Sequence, residues 1–259
     1  MTSIWYEVSG VDDAPVVVLG GSLGTTSEMW RPQLDAIEGT FRVLRFDHLG
    51  HGRSAVPDGP YRIEHLADQV IAALDEAGIG SFCYCGLSLG GMVGMAVAAR
   101  WPERVERLAL LCTSAYFPPA SGWLERAALV RSAGTAAVIE QTTSRWFTSE
   151  FQAQQPQMVE TLIADLRTIP PEGYAGCCEA IATMDLRPDL ASITAPTLVI
   201  HGADDPAIPL PHSQEIAETI PGARLAVVEH AAHLATVEQP DSVTGLLVGH
   251  LTGSIDATV

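Results

Sequence analysis

The stretch Cys85-Gly86-Leu87-Ser88-Leu89-Gly90-Gly91 constrains this chain more than any other. It sits directly after a strand-like run, Phe82–Leu87, and directly before a helix-like run of small residues, Leu89–Arg100, that stops ahead of Pro102. A G-x-S-x-G sequence in that setting predicts a sharp strand-to-helix turn whose serine hydroxyl stands clear of a sheet edge. The turn crowds the positions two before and two after the serine, so Gly86 and Gly90, which lack a Cβ, suit them. The helix that follows aims free backbone N–H groups at the same place.

Short apolar runs at Ile4–Val8, Val16–Leu19, Phe41–Phe46, Leu108–Cys112, Thr197–His201 and Leu225–Val228 read as further strands. Helical patterns at Ile63–Ala77, Ser213–Ile220 and Ser242–Leu251 alternate with them. This alternation predicts an α/β fold with a mostly parallel sheet. Residues 116–190 break the rhythm. Helical patterns follow one another there (Trp123–Ala133, Thr135–Trp146, Gln157–Thr168, Tyr174–Met184) with prolines between them and no buried strand. The expected organisation is a core formed by residues 1–115 and 191–259, with 116–190 a helical cap inserted between core strands.

A serine hydroxyl is a poor nucleophile unless a base accepts its proton. On this scaffold the partners follow in the order serine, acid, histidine. Thr197–His201 is followed by Gly202-Ala203-Asp204-Asp205-Pro206, where both Asp204 and Asp205 qualify as the acid. Leu225–Val228 is followed by Glu229-His230-Ala231-Ala232-His233. His233, deeper in that loop, is favoured over His230 as the base. The oxyanion that forms on attack needs two backbone donors. One is the N–H of Leu89, the residue after the nucleophile. The other falls in Gly20-Gly21-Ser22-Leu23-Gly24 after the second strand, with Ser22 expected and Leu23 the alternative.

Composition removes other chemistries. All 14 basic residues are arginines, so a Schiff-base lysine and a P-loop lysine are both excluded. Against 31 acidic residues they leave a formal charge of −17, which argues against nucleic acid or an anionic membrane as partner. Five cysteines form no disulfide framework or zinc spacing; Cys83, Cys85 and Cys112 read as small hydrophobes, and the Cys177–Cys178 pair has no assigned role. Asp47, His48 and His51 lie in a glycine-rich run that reads as a structural turn rather than a metal site. No metal and no cofactor are expected. The N-terminus does not read as a signal peptide and no apolar run reaches ~18 residues, so a soluble, cytoplasmic protein is expected.

Together these pieces resemble the α/β-hydrolases over essentially the whole chain, which implies a sheet of about seven to eight strands flanked by helices under a helical cap. More narrowly, the chain resembles the 3-oxoadipate enol-lactonases. The matching residues are Ser22-Leu23-Gly24-Thr25-Thr26 with Met29-Trp30, Gly86 to Gly94, Trp101-Pro102-Glu103-Arg104-Val105, and Arg145-Trp146-Phe147-Thr148. The family's acid pattern, G-x-x-D-x-x-x-P, falls on Gly202, Asp205 and Pro209, which selects Asp205; its histidine pattern falls on His233 ahead of Glu238-Gln239-Pro240. The chain departs from the family at Leu49, where arginine is usual, at Gly20, where histidine or serine is usual, and at an N-terminus too short for a further first strand.

The resemblance implies a cofactor-independent serine hydrolase that opens a small carboxylated enol-lactone through an acyl-enzyme, in the breakdown of aromatic compounds. Ser88, Asp205 and His233 would be the catalytic set. A carboxylated substrate asks for an arginine clamp, and Arg131 and Arg145 flank a glycine-centred stretch of the cap; Trp123 and Trp146 are candidate pocket walls. Other readings are a general carboxylesterase, a carbon–carbon bond hydrolase, and a non-catalytic ligand-binding member of the fold. A metal-dependent lactonase is disfavoured by the lack of an H-x-H-x-D-H cluster.

Overall fold

The computed structural model describes residues 3–254; residues 1–2 and 255–259, counted above with the expected core, lie outside the described residues. Among the described residues seven strands form one sheet: β1 (Tyr6–Gly10), β2 (Val16–Gly20), β3 (Arg42–Phe46), β4 (Phe82–Leu87), β5 (Val105–Leu111), β6 (Thr197–Gly202) and β7 (Arg224–Val228). Their order is β1-β3-β2-β4-β5-β6-β7, and every pair is parallel except β1 with β3. The central strands β4 and β6 are buried at every position, as expected of a parallel sheet covered on both faces.

The order of connection reverses at β2, which lies between β3 and β4. In open parallel sheets such a reversal leaves a crevice beyond the carboxyl ends of the strands. Here the register sets Gly20, the last residue of β2, beside Gly86 of β4. The turn after β2 and the Ser88 turn after β4 therefore leave the sheet as neighbours.

Helices α1 (Arg31–Glu38), α2 (Ile63–Glu76) and α3 (Leu89–Arg100) precede β5; α4 (Ala120–Ala133), α5 (Ile139–Trp146), α6 (Ser149–Gln154), α7 (Pro156–Thr168) and α8 (Pro171–Thr183) follow it. The short α9 (Arg187–Leu190) precedes β6, α10 (Leu210–Thr219) lies between β6 and β7, and α11 (Ala235–Glu238) and α12 (Pro240–Leu251) close the described chain. α3 is buried from Leu89 to Ala98, and its small residues allow that: a Cβ at Gly94 would run into the Tyr84 ring, 2.6 Å from Cε1.

Between β5 and β6 the chain is helical. Arg131 of α4 pairs with Glu172 and Glu179 of α8, and this holds the Glu172 carboxyl down at about 2. The start of α8 meets the loop after β3 so closely that a Cβ at Gly173 would collide with the Gly50 backbone. All five cysteines are free and buried. The sequence expected one helix over Thr135–Trp146; the chain instead makes a 3-10 turn at Thr135–Val138 before α5.

Candidate active site

Ser88 has φ +55° and ψ −114°, a backbone conformation that residues with a side chain avoid and that costs of order 1–3 kcal/mol. Its neighbours hold it there. The Ser88 N–H donates to Leu111 O (2.9 Å), and the Ser88 carbonyl accepts from Thr113 Oγ1 (2.7 Å) and Met92 N (3.0 Å). The flanking glycines are required by contact: a Cβ at Gly86 would strike the Gly90 carbonyl, and a Cβ at Gly90 would strike the Gly20 carbonyl. Gly90 N also donates to Gly21 O at 2.9 Å, tying the Ser88 turn to the turn after β2.

The candidate acid and base lie in the loops after β6 and β7. Asp205 Oδ2 lies 2.9 Å from His233 Nδ1, and both residues are buried. The other oxygen, Oδ1, accepts from Ala207 N (2.8 Å) and Ile208 N (3.0 Å), so the carboxylate is held by its own loop. Asp204 lies on the exposed side of the turn, and His230 is likewise exposed, with its carbonyl taken by Gln239. The structure thus brings Asp205 and His233 together and leaves the two alternatives outside. Ser88 and His233 line one cleft of about 50 Å³, together with Ser22 and Leu23.

The donor expected of Ser22 is corrected. The Ser22 N–H is directed at Met29 Sδ (3.2 Å), a sulfur that also accepts from Thr25 Oγ1 (3.1 Å). Leu23 follows in the same turn and faces the cleft. Leu89, as the first residue of α3, has an N–H with no intrahelical acceptor.

His48 and His51 prove to hold this turn in place. The His48 Nε2–H donates to Gly21 O (2.9 Å), and His51 Nε2 accepts from Gly24 N (3.0 Å). Both rings are neutral. Burial lowers His48 to about 4; burial, reinforced by the neighbouring His48, lowers His51 to about 3. Asp47 accepts from the backbone of Ser27 and Arg53. Among the described residues no three His, Cys, Asp or Glu side chains are arranged to hold a metal ion.

The helices between β5 and β6 supply the opposite wall. Trp123, Trp146 and Arg145 line the cleft, as does Arg126. Arg131 does not: its guanidinium is engaged by Glu172 and Glu179, which corrects its expected place at the substrate. Among the described residues Arg126 is held by neutral acceptors, Tyr174 Oη (2.9 Å), Gln141 Oε1 (2.5 Å) and Thr142 Oγ1 (2.6 Å). Burial, and the nearby Arg126, pull Arg145 below the usual arginine range. Two guanidiniums thus face the cleft without a carboxylate partner among the described residues. Sequence reasoning passed over Arg126, although its i+3 spacing from Trp123 sets both on one face of α4. A second pocket of about 390 Å³ shares Trp123, Arg126 and Arg145 and adds Phe117, Pro118 and Leu129. No described helix is long and apolar enough to cross a membrane.

A sheet of this order, with a strained serine after β4 and an acid–histidine pair after β6 and β7, defines a hydrolase scaffold, and comparison with known proteins agrees. Residues 14–240 match the family model described as the alpha/beta hydrolase fold, and the chain belongs to that family. Within it, the chain is similar to the 3-oxoadipate enol-lactonases. It is 40% identical to 3-oxoadipate enol-lactonase 2 of Acinetobacter baylyi over 237 residues, 92% of this chain and 88% of that protein. The crystal structure of the enol-lactonase from Burkholderia xenovorans LB400 superposes with a TM-score of 0.95 at 39% identity, covering 97% of each chain. A malate-bound thermophilic esterase from Thermogutta terrifontis superposes at 0.91 with 28% identity, covering 96% of this chain and 93% of that one.

Proposed function

We propose that this chain is a cofactor-independent serine hydrolase that opens a small carboxylated enol-lactone. The observation that carries the reading is His233, held by Asp205, facing the same cleft as the strained Ser88, which Arg126 and Arg145 also line. Ser88 Oγ attacks the lactone carbonyl as His233 Nε2 takes its proton. Asp205 fixes the ring and stabilises the imidazolium. The oxyanion rests on the N–H groups of Leu89 and Leu23, Leu23 standing in the place expected of Ser22; one such donor is worth about 3–4 kcal/mol of barrier. Ring opening expels an enol oxygen, which His233 protonates, and the enol becomes a ketone. Water activated by His233 then releases the acyl group.

Arg126 and Arg145 recognise the substrate's free carboxylate, with Trp123 and Trp146 as the apolar walls. A local positive pair is what a chain of charge −17 needs in order to bind an anion. The inserted segment 116–190 acts as a cap that completes the pocket. A cytoplasmic role in the breakdown of aromatic compounds rests on the likeness to the enol-lactonases. The test is Ser88→Ala with the carboxylated enol-lactone: turnover falls at least about 1,000-fold. Activity retained within about ten-fold refutes the mechanism. A second reading, a broader carboxylesterase, is favoured by the outer pocket of about 390 Å³, which is larger than a small lactone fills.

A further inference from the structure

One buried carboxylate outside the catalytic set joins the inserted helices to the histidine loop. Glu238, the last residue of α11, is 6% exposed. Its Oε1 accepts from the Thr148 N–H (2.9 Å) and from Thr148 Oγ1 (2.8 Å); its Oε2 accepts from the Ala232 N–H (2.5 Å). A parallel tether runs beside it, where the Leu234 N–H donates to the Trp146 carbonyl at 3.0 Å. His233 lies between the two tethered residues on one side, Ala232 and Leu234. Phe147 lies between Trp146 and Thr148 on the other. Both His233 and Trp146 line the cleft.

Three donors and no described cation meet this carboxylate, so the contact is one of direction rather than charge pairing. An ionised carboxylate accepts on both oxygens at once, and such charge-assisted bonds are about twice as strong as neutral ones. Glutamine keeps the volume but turns an NH₂ group toward one set of N–H donors. It can therefore satisfy the Thr148 side or the Ala232 side, not both.

We propose that Glu238 is a positioning residue that fixes the catalytic histidine and the Trp146 wall of the cap in register, by binding Ala232 and Thr148 through one carboxylate. The proposal rests on the serine-hydrolase reading above. Its consequence is that a change at Glu238 alters both the base and the substrate wall, whereas a change confined to the Thr148 hydroxyl alters the wall alone.

The experiment compares the parent, Glu238→Gln and Thr148→Val. Each is assayed on p-nitrophenyl acetate and mono-p-nitrophenyl succinate, and for the rate of Ser88 phosphonylation by a fluorophosphonate. Near-UV circular dichroism checks that the variants fold. In Glu238→Gln, kcat on both esters and the phosphonylation rate fall together by about 10- to 100-fold, the effect of a base displaced by a fraction of an ångström to one ångström. In Thr148→Val, KM for the succinate ester rises about three- to ten-fold while kcat and phosphonylation stay within about two-fold. A folded Glu238→Gln with kcat and phosphonylation within about two-fold of the parent overturns the proposal and leaves the hydrolase reading intact. If Glu238→Gln does not fold, Thr148→Val decides: an unchanged KM overturns it. A parent that neither hydrolyses the esters nor reacts with the fluorophosphonate overturns the underlying reading, and the proposal with it.

Discussion

At the scale of single residues, the function proposed above divides the cleft between recognition and chemistry. Arg145→Ala and Arg126→Ala should each raise KM for a carboxylated substrate by about 10- to 100-fold, the worth of a hydrogen bond to a charged group. A neutral ester should change by less than about three-fold. Equal effects on both substrates would remove the carboxylate clamp from the account. His48 and His51 make a different prediction. In the unfolded chain each takes up a proton near pH 6.5, but in the folded chain they stay neutral down to about 4 and about 3. Between those values the unfolded state binds more protons, so stability falls as pH falls, by up to about 1.4 kcal/mol per pH unit for each ring. Urea unfolding from about pH 7 to about pH 5 should show this slope, and His51→Gln should flatten it. Much of the candidate site's geometry was legible here: motif order together with the family pattern selects Ser88, Asp205 and His233, and the fold pairs Asp205 with His233 and sets His233 and Ser88 on one cleft. The orientation of a peptide unit was not: nothing in the sequence shows the Ser22 N–H turning to Met29 Sδ. Nor could the sequence show that Arg131 meets Glu172 and Glu179, because those partners lie about 40 and 50 positions away.

At the scale of elements, β4 and α3 run as expected because the glycine turn between them fixes both ends. The short helices α1, α6, α9 and α11 were not expected, since pieces of four to eight residues carry too little periodicity to register. The helices between β5 and β6 depend on close backbone approach. Gly173→Ala would force the start of α8 away from Gly50. This substitution should destabilise the fold by about 1–3 kcal/mol, and limited proteolysis should cut first within residues 116–190. If the Gly173→Ala protein resists protease as the parent does, the α8 contact is not what seats these helices.

At the scale of the whole molecule, the charge of −17 would oppose the approach of the anionic substrate proposed above, which Arg126 and Arg145 would hold once it has arrived. Salt screens the distant field before it screens a contact. Raising ionic strength from about 10 to about 150 mM should therefore increase kcat/KM for a carboxylated ester modestly, by up to about three-fold, and leave a neutral ester unchanged. The order of β2, β3 and β4 was not legible from the strands alone, because pairing is a property of the assembled sheet; it is that order which sets the two working turns side by side. The buried cysteines carry a practical consequence. Burial pushes Cys83 and Cys178 up to about 12 and the other three well above the ordinary thiol range, so the closed molecule offers nothing for a maleimide to alkylate. Each thiol becomes a clock for the opening of its own neighbourhood: Cys177 and Cys178 time the release of α8, while Cys83, Cys85 and Cys112 time the loss of the sheet. Alkylation rates, resolved by mass spectrometry, would show whether the two halves of the molecule come apart as one unit or in sequence.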